Sequence, residues 1–325
     1  MTDALSTIGG LVLLMVGADY LVRGAVAIAR CVGVSPLVIG LTVVAFGTSL
    51  PELVVCLQSA LDGVVGVAVG NVVGSNIANI LLILGAAGVI SPIRCTRMAC
   101  LRDGSAMLAA TVFFIAFGMM GTLGALYGSL GLLLLAAYMF WSYRSDQAAG
   151  NGLHAQEAEE VEPIRGSIWL AALAVAGGLV GVVVGAQLLV DGAVGIARTF
   201  GVSEEVIGLT LVAFGTSVPE LATTIVAAYR RHADVALGNV LGSNLFNLLG
   251  VMGATTLIVP MELPPQIASF DIWVMAGVSL LMVQFMYTGW RLSRPEAAVF
   301  LVGYGAFITI QFYGVGAFVT LVAGL

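Results

Sequence analysis

The chain contains the same motif twice, at a constant separation of 168 residues. Residues 33–53 read GVSPLVIGLTVVAFGTSLPEL and residues 201–221 read GVSEEVIGLTLVAFGTSVPEL, so 17 of 21 positions are identical. A second motif follows each copy, GNVVGSN at 70–76 and GNVLGSN at 238–244. Because the separation never changes, the sequence predicts two structural repeats of equal length.

Long apolar runs occur in both repeats. Hydrophobic residues make up 60% of the 325 residues and charged residues only 9%, whereas an average soluble chain is about 25% charged. About 20 apolar residues span a bilayer, and a net charge of −6 argues against a nucleic-acid partner. The sequence predicts an all-α integral membrane protein whose surroundings are lipid. The ten predicted spans are residues 4–29, 34–60, 65–92, 104–122, 124–143, 167–197, 204–229, 235–259, 269–289 and 296–324.

The two repeats are predicted to have opposite orientations. Residues 1–143 form the first five-span repeat, 144–166 an acidic linker, and 167–325 the second repeat. Five is an odd number, so the second repeat must enter the membrane from the other side. Nearly all arginines follow odd-numbered spans, and basic residues concentrate in cytoplasmic loops. We therefore expect a cytoplasmic linker, both termini outside, and an inverted repeat, which is a transporter architecture with its site near the midplane.

Two glutamates, Glu52 and Glu220, fall at equivalent mid-span positions. Only Asp19 and Asp191 join them as acids predicted inside spans. A carboxylate at the bilayer centre costs at least ~2.5 kcal/mol, and inverted symmetry would bring the two glutamates together. A bound cation would offset their repulsion. The alternative is a pair of protonated acids that act as structural hydrogen-bond donors.

Proline precedes each glutamate. Pro51 and Pro219 each remove a backbone N–H and displace the carbonyl four residues earlier, which predicts two broken central helices. Freed carbonyls and neighbouring hydroxyls are hard oxygen ligands, and a partly unwound site of this kind suits Ca²⁺ or Na⁺ better than Mg²⁺. The hydroxyls beside the breaks are Thr48, Ser49, Thr216 and Ser217.

Further polar side chains lie on the third and eighth predicted spans. Ser75 and Asn79 are four residues apart, as are Ser243 and Asn247, and this spacing places each pair on one helix face. Both pairs are candidate ion ligands. The competing interpretation is hydrogen bonding between helices.

GTSLPEL and GTSVPEL, each followed by GNVxGSNxxN, resemble the two α-repeats of the sodium/calcium exchanger family, in its prokaryotic calcium/sodium antiporter form. The resemblance covers all ten predicted spans. It implies alternating-access exchange of Ca²⁺ for Na⁺ across a prokaryotic plasma (inner) membrane, without cofactor, and we infer no obligate protein partner. A carbonyl two residues before each motif glycine is also a ligand in that family. The implied ligands are Glu52, Glu220, Thr48, Ser49, Thr216, Ser217, Ala45, Ala213, Ser75, Asn79, Ser243 and Asn247.

One position departs from the potassium-dependent members, which carry Asp where this chain has Asn247. The site would then hold two formal negative charges, and we expect no potassium requirement. Exchange of Ca²⁺ for H⁺ is the alternative within the same fold. An ion channel fits an inverted repeat with broken helices less well. An enzyme is not expected, because no histidine or lysine lies near Ser49 or Ser217 to activate a nucleophile.

Overall fold

The computed structural model describes residues 2–148, 168–200 and 213–313. Within these residues, eight helices are long and apolar enough to cross a membrane, or nine if the bent pair α2 and α3 counts as one span. The predicted seventh span, 204–229, begins outside the described residues, so the count of ten stays a prediction. The helices are α1 (Thr2–Val32), α2 (Pro36–Thr48), α3 (Leu50–Leu61), α4 (Val65–Ile90), α5 (Arg97–Met119), α6 (Ala125–Ala148), α7 (Ile168–Thr199), α8 (Ala213–Gly215), α9 (Val218–Tyr229), α10 (Ala233–Ile258), α11 (Ile267–Tyr287) and α12 (Arg294–Tyr313).

The end of α6 differs from the predicted domain boundary. The sequence predicts a linker over 144–166, but α6 continues as a helix to Ala148. Asp146, on this last turn, accepts hydrogen bonds from the backbone N–H and the hydroxyl of Ser35, at 2.5 and 2.9 Å. Polar residues end a membrane span without ending the helix, because a helix can continue into water once its side chains find partners. The rest of the linker lies outside the described residues.

Two short antiparallel strand pairs join the loops, where the sequence predicts only helices. β1 (Ile93–Arg94) pairs with β4 (Arg291–Leu292), and β2 (Thr122–Leu123) pairs with β3 (Met261–Glu262). The 168-residue separation relates β1 to β3 and overlaps β2 with β4. Each pair therefore connects one repeat to the other at an equivalent place.

Glycines allow α1 and α7 to pack closely. A Cβ added at Gly17 would lie 2.7 Å from the backbone nitrogen of Val182, and one at Gly24 would lie 3.0 Å from the carbonyl of Ala171. Small residues at such interfaces let helix backbones approach in lipid. Contacts with α7 move to lower residue numbers as those of α1 rise. These helices occupy equivalent positions in the two repeats, and they run antiparallel.

The buried core forms two clusters, one around α4, α5, α10 and α11 and one around α1, α2, α7 and α9. α10 is the most completely buried candidate span. A Cβ at Gly238, on α10, would lie 2.5 Å from the carbonyl of Leu37 on α2. This contact sets α2 of the first repeat directly against α10 of the second, so that motif residues of both repeats face one another in the interior.

Candidate functional site

Both central helices are broken at the motif serine. Ser49 (φ −85°, ψ 4°) separates α2 from α3, which are bent by 43°. Ser217 has nearly the same backbone (φ −89°, ψ 0°) between α8 and α9. Pro51 and Pro219 then lie in the first turn of the following helix, where a missing N–H leaves no hydrogen bond unmade. The predicted breaks are confirmed, and each one places its glutamate at a helix start.

The two glutamates face each other in the interior. Glu52 is 0% and Glu220 1% exposed, and their carboxylates are close enough to interact electrostatically. The hydroxyl of Ser49 donates to Glu220 Oε1 at 3.3 Å. Within the described residues, Glu52 Oε1, Glu52 Oε2 and Glu220 Oε2 accept no hydrogen bond. A buried charged oxygen without a donor costs more than ~1–3 kcal/mol, so this arrangement calls for a positive partner.

The candidate ligands on α4 and α10 are also buried and partly unpaired. Asn79 Nδ2 donates to Asn244 Oδ1 at 3.0 Å, so this amide does join two helices. In the described part of the chain, however, Asn79 Oδ1, Ser243 Oγ and both polar atoms of Asn247 have no hydrogen-bond partner. Ser75 Oγ, the fourth of these groups, accepts from the hydroxyl of Ser217 at 3.3 Å.

Turns of π-helix occur where these amides lie. Asn79 begins the π-helical segment Asn79–Leu84 of α4, and Asn247 lies in Phe246–Val251 of α10. A third such turn, Gly40–Val44, precedes the break in α2. π-turns inside α-helices frequently mark functional sites, because the wider turn changes the direction of side chains.

The two carbonyls implied by the family resemblance fare less clearly. Ala45 O already accepts the Ser49 N–H at 3.0 Å and the Thr48 hydroxyl at 3.4 Å. Both lone pairs of this oxygen are therefore engaged, and it would bind an ion only after local rearrangement. Ala213 begins α8.

Two asparagines that the sequence did not single out join the site. Asn71 Oδ1 accepts from the Thr216 hydroxyl at 3.2 Å, and Asn239 Oδ1 accepts from the Thr48 hydroxyl at 3.3 Å. A signal for them was present. Asn71 lies four residues before Ser75, and Asn239 four before Ser243, so the face that carries the predicted ligands extends one turn further back.

Two buried acids were also missed. Asp103 and Asp271 are related by the same separation of 168 residues and lie in α5 and α11. Asp103 pairs with Arg102 at 2.5 Å and accepts from the Tyr138 hydroxyl at 2.9 Å, while Asp271 accepts from the Gln311 amide. The expectation that only four acids lie inside spans was wrong. The predicted span began just after Asp103, and Asp271 lies within the predicted ninth span but was not counted.

The polar groups described above set the chemistry of the site. Among the described residues, no three His, Cys, Asp or Glu side chains come together as a metal cluster. A cation held at this place would be bound by two carboxylates and neutral oxygens, which is the donor set of a hard cation such as Ca²⁺ or Na⁺.

Together, these features define a helical membrane protein with a buried, oxygen-lined site between two repeated motifs. The family model described as sodium/calcium exchanger protein matches residues 3–144 and 170–313. The chain belongs to this family of membrane antiporters, as its motifs indicated.

Relatives match over nearly the whole chain. The putative antiporter CaxA of Alkalimonas amylolytica is 37% identical over 312 residues, covering 93% of this chain and 95% of CaxA. The sodium/calcium exchanger MaX1 of Methanosarcina acetivorans is 34% identical, with 94% and 97% covered. A solved structure of the sodium-calcium exchanger NCX_Mj, soaked with zero Na⁺ and Ca²⁺, matches with a TM-score of 0.84 at 32% identity, covering 95% of this chain and 99% of that one.

Proposed function

We propose that this antiporter exchanges Ca²⁺ for Na⁺ by alternating access, at one midplane site whose charge comes from Glu52 and Glu220. A single observation carries the proposal. Three of the four carboxylate oxygens are buried and accept no hydrogen bond from the described residues. Neutral oxygens of Asn79, Ser243 and Asn247 are unpaired in the same way. Such oxygens match the coordination that Ca²⁺ takes in proteins.

The charge of the site supports obligatory exchange. Two carboxylates are neutralised by one Ca²⁺ or by two Na⁺, so the two loads compete for the same oxygens. A neutral site can change its exposure from one side of the membrane to the other. The empty site carries two negative charges in a medium of low dielectric constant and changes exposure poorly. This difference prevents leak. Additional Na⁺ bound at hydroxyl and amide oxygens would make the cycle electrogenic.

Contacts between the repeats support an inverted arrangement with both termini outside a plasma (inner) membrane. The equivalent helices α1 and α7 run antiparallel. β1 and β4 join two arginine-bearing loops that the charge distribution assigns to the cytoplasm, and β2 and β3 join two loops assigned to the outside. Every one of these contacts links segments expected on the same side, as the proposed topology requires.

Reconstituted protein tests the proposal. Uptake of ⁴⁵Ca²⁺ into proteoliposomes is measured with either a Na⁺ gradient or an H⁺ gradient, for the parent, Glu52→Gln and Glu220→Gln. We expect uptake driven by Na⁺ in the parent and a loss of at least about a hundredfold in each variant, because each substitution removes half the charge that binds Ca²⁺.

Glu262→Gln is the matched control, since Glu262 is exposed at β3, away from the site, and its uptake should equal that of the parent. Normal exchange in either site variant would refute the two-glutamate site. Uptake driven by protons alone would instead support the Ca²⁺/H⁺ alternative.

A further inference from the structure

Two asparagines connect the repeats across the candidate site in a reciprocal way. Asn71, in the first repeat, accepts the hydroxyl proton of Thr216 in the second at 3.2 Å. Asn239, in the second repeat, accepts the hydroxyl proton of Thr48 in the first at 3.3 Å. The repeat separation of 168 residues relates the two asparagines to each other and the two threonines likewise. The same bond is therefore formed twice, each time between different repeats.

The chemistry of a hydroxyl ligand gives this bond a purpose. A threonine hydroxyl has one proton and two lone pairs. It binds a cation through a lone pair, so its proton must point to an acceptor elsewhere. In a buried site without water, that acceptor has to be built into the protein. We propose that Asn71 and Asn239 are positioning residues that hold the protons of Thr216 and Thr48 away from the ion, so that these hydroxyls face it with their lone pairs. This inference rests on the ion site proposed above.

An asparagine suits this role better than other polar residues. Its amide accepts a proton through Oδ1 and donates through Nδ2. Asn71 Nδ2 lies 3.5 Å from the backbone carbonyl of Glu52, and Asn239 Nδ2 lies 3.4 Å from that of Glu220. These donor contacts orient the amide so that its oxygen faces the threonine. An aspartate would accept equally well, but it would add a third negative charge to a site that one Ca²⁺ neutralises.

The two arrangements differ in how firmly they are held. Asn239 is fully buried and also donates to the Thr224 hydroxyl at 2.9 Å. Its partner Thr48 has a second acceptor, the Ala45 carbonyl, at 3.4 Å. Loss of Asn239 would therefore leave Thr48 an alternative direction for its proton, and we expect the pair of Asn71 and Thr216 to give the larger effect.

Crossed double-mutant cycles test the proposal. The variants are Asn71→Ala and Thr216→Val, Asn239→Ala and Thr48→Val, and the double variants of every Asn and Thr combination. The readout is the apparent KM for Ca²⁺ and the maximal rate of Na⁺-driven ⁴⁵Ca²⁺ uptake in proteoliposomes. Each asparagine variant should raise the apparent KM about fivefold, the effect of one hydrogen bond, with a smaller change in maximal rate.

The crossed design distinguishes positioning from general stabilisation. In the matched pairs, Asn71→Ala should have no further effect once Thr216→Val is present, and Asn239→Ala none once Thr48→Val is present. In the mismatched pairs, Asn71 with Thr48 and Asn239 with Thr216, the effects should multiply. Thr216→Ser, which keeps the hydroxyl, should restore the full dependence on Asn71.

Multiplication in all four pairs, or loss of folded protein without a change in apparent KM, would overturn the positioning role. That failure is separate from failure of the ion site, because Glu52→Gln and Glu220→Gln would still abolish transport in the first case and not in the second.

Discussion

The two repeats carry nearly the same motif but surround their glutamates differently. Ser49 of the first repeat donates to Glu220, whereas its equivalent, Ser217, donates to Ser75 and not to Glu52. Glu52 therefore keeps both carboxylate oxygens open within the described residues, and Glu220 keeps one. An identical sequence does not give an identical environment, because the partner of each serine belongs to the opposite repeat, and the opposite helices are packed differently.

A similar difference separates the two asparagines. Asn239 donates to Thr224, while the position equivalent to Thr224 in the first repeat is Cys56. A thiol is a weak acceptor, and Cys56 instead contacts the hydroxyl of Thr255 at 3.5 Å. The half of the site built on α10 is thus more buried and more fully bonded than the half built on α4. We infer that the first repeat supplies the more adaptable half and the second repeat the more rigid one.

The largest expected effect concerns which side of the membrane each repeat faces. The turns after α3 and α9 are equivalent, but the first carries Asp62 and the second Arg231, and both side chains are exposed. Asp62→Cys should react with a membrane-impermeant maleimide in intact cells, and Arg231→Cys only after permeabilisation. The exposed native Cys31 should behave like Arg231→Cys and is replaced by serine when the others are tested. Reaction of both turns from one side would refute the inverted repeat.

The next prediction compares the two amides that face the glutamates. Asn247 has no partner for either polar atom within the described residues, whereas Asn79 donates to Asn244. Asn247→Asp should keep a folded protein but leave the Ca²⁺-loaded site with a net charge of −1, at a cost of a few kcal/mol unless a proton or K⁺ is taken up. Ca²⁺ uptake should gain a dependence on pH or K⁺ that the parent lacks.

Asn79→Asp is the companion variant, and it should reduce uptake more, by roughly a further tenfold, because its new carboxylate would also lose the donor bond and repel Asn244 Oδ1. A parent that requires K⁺ would contradict the first expectation. Equal behaviour of the two variants, or an Asn247→Asp variant like the parent, would place these amides outside the ion pathway.

The sequence predicted the parts of the site that depend on spacing along one helix. The breaks at Ser49 and Ser217 follow from proline chemistry, and the burial of Asn79 and Asn247 follows from the helical period. It did not predict which group would meet which across the interface, because the packing of α2 against α10 depends on the full set of side chains between them. The hydroxyl of Ser217 finding Ser75 is a result of this kind. Asn71, Asn239, Asp103 and Asp271 were missed for a simpler reason, since the repeat separation relates each pair and was applied only to the strongest motifs.

A smaller effect is expected from the residue that distinguishes the two asparagines. Thr224→Val removes an acceptor of Asn239 Nδ2 and should raise the apparent KM for Ca²⁺ roughly three- to fivefold. Thr223→Val is the matched control, because Thr223 is equally buried but its hydroxyl has no partner in the described residues. Its uptake should match that of the parent. A larger effect of Thr223→Val than of Thr224→Val would show that the bond to Asn239 does not make the second half rigid.

The smallest effect returns to the equivalent turns. Gly63 (φ 78°) and Arg231 (φ 61°) have the same left-handed backbone, which glycine adopts freely and which costs other residues roughly 1–2 kcal/mol. Arg231→Gly should therefore be more stable than Arg231→Ala by about 1 kcal/mol, since both lose the guanidinium but only alanine keeps the Cβ. Gly63→Ala should lose a similar amount relative to the parent. Thermal unfolding in detergent measures the three variants. If Arg231→Gly and Arg231→Ala unfold together while Gly63→Ala is destabilised, the second turn relaxes its backbone in a way that the first does not. The two repeats would then differ in their loops as well as at the ion site, and the rigidity assigned to the second repeat would not extend to its surface.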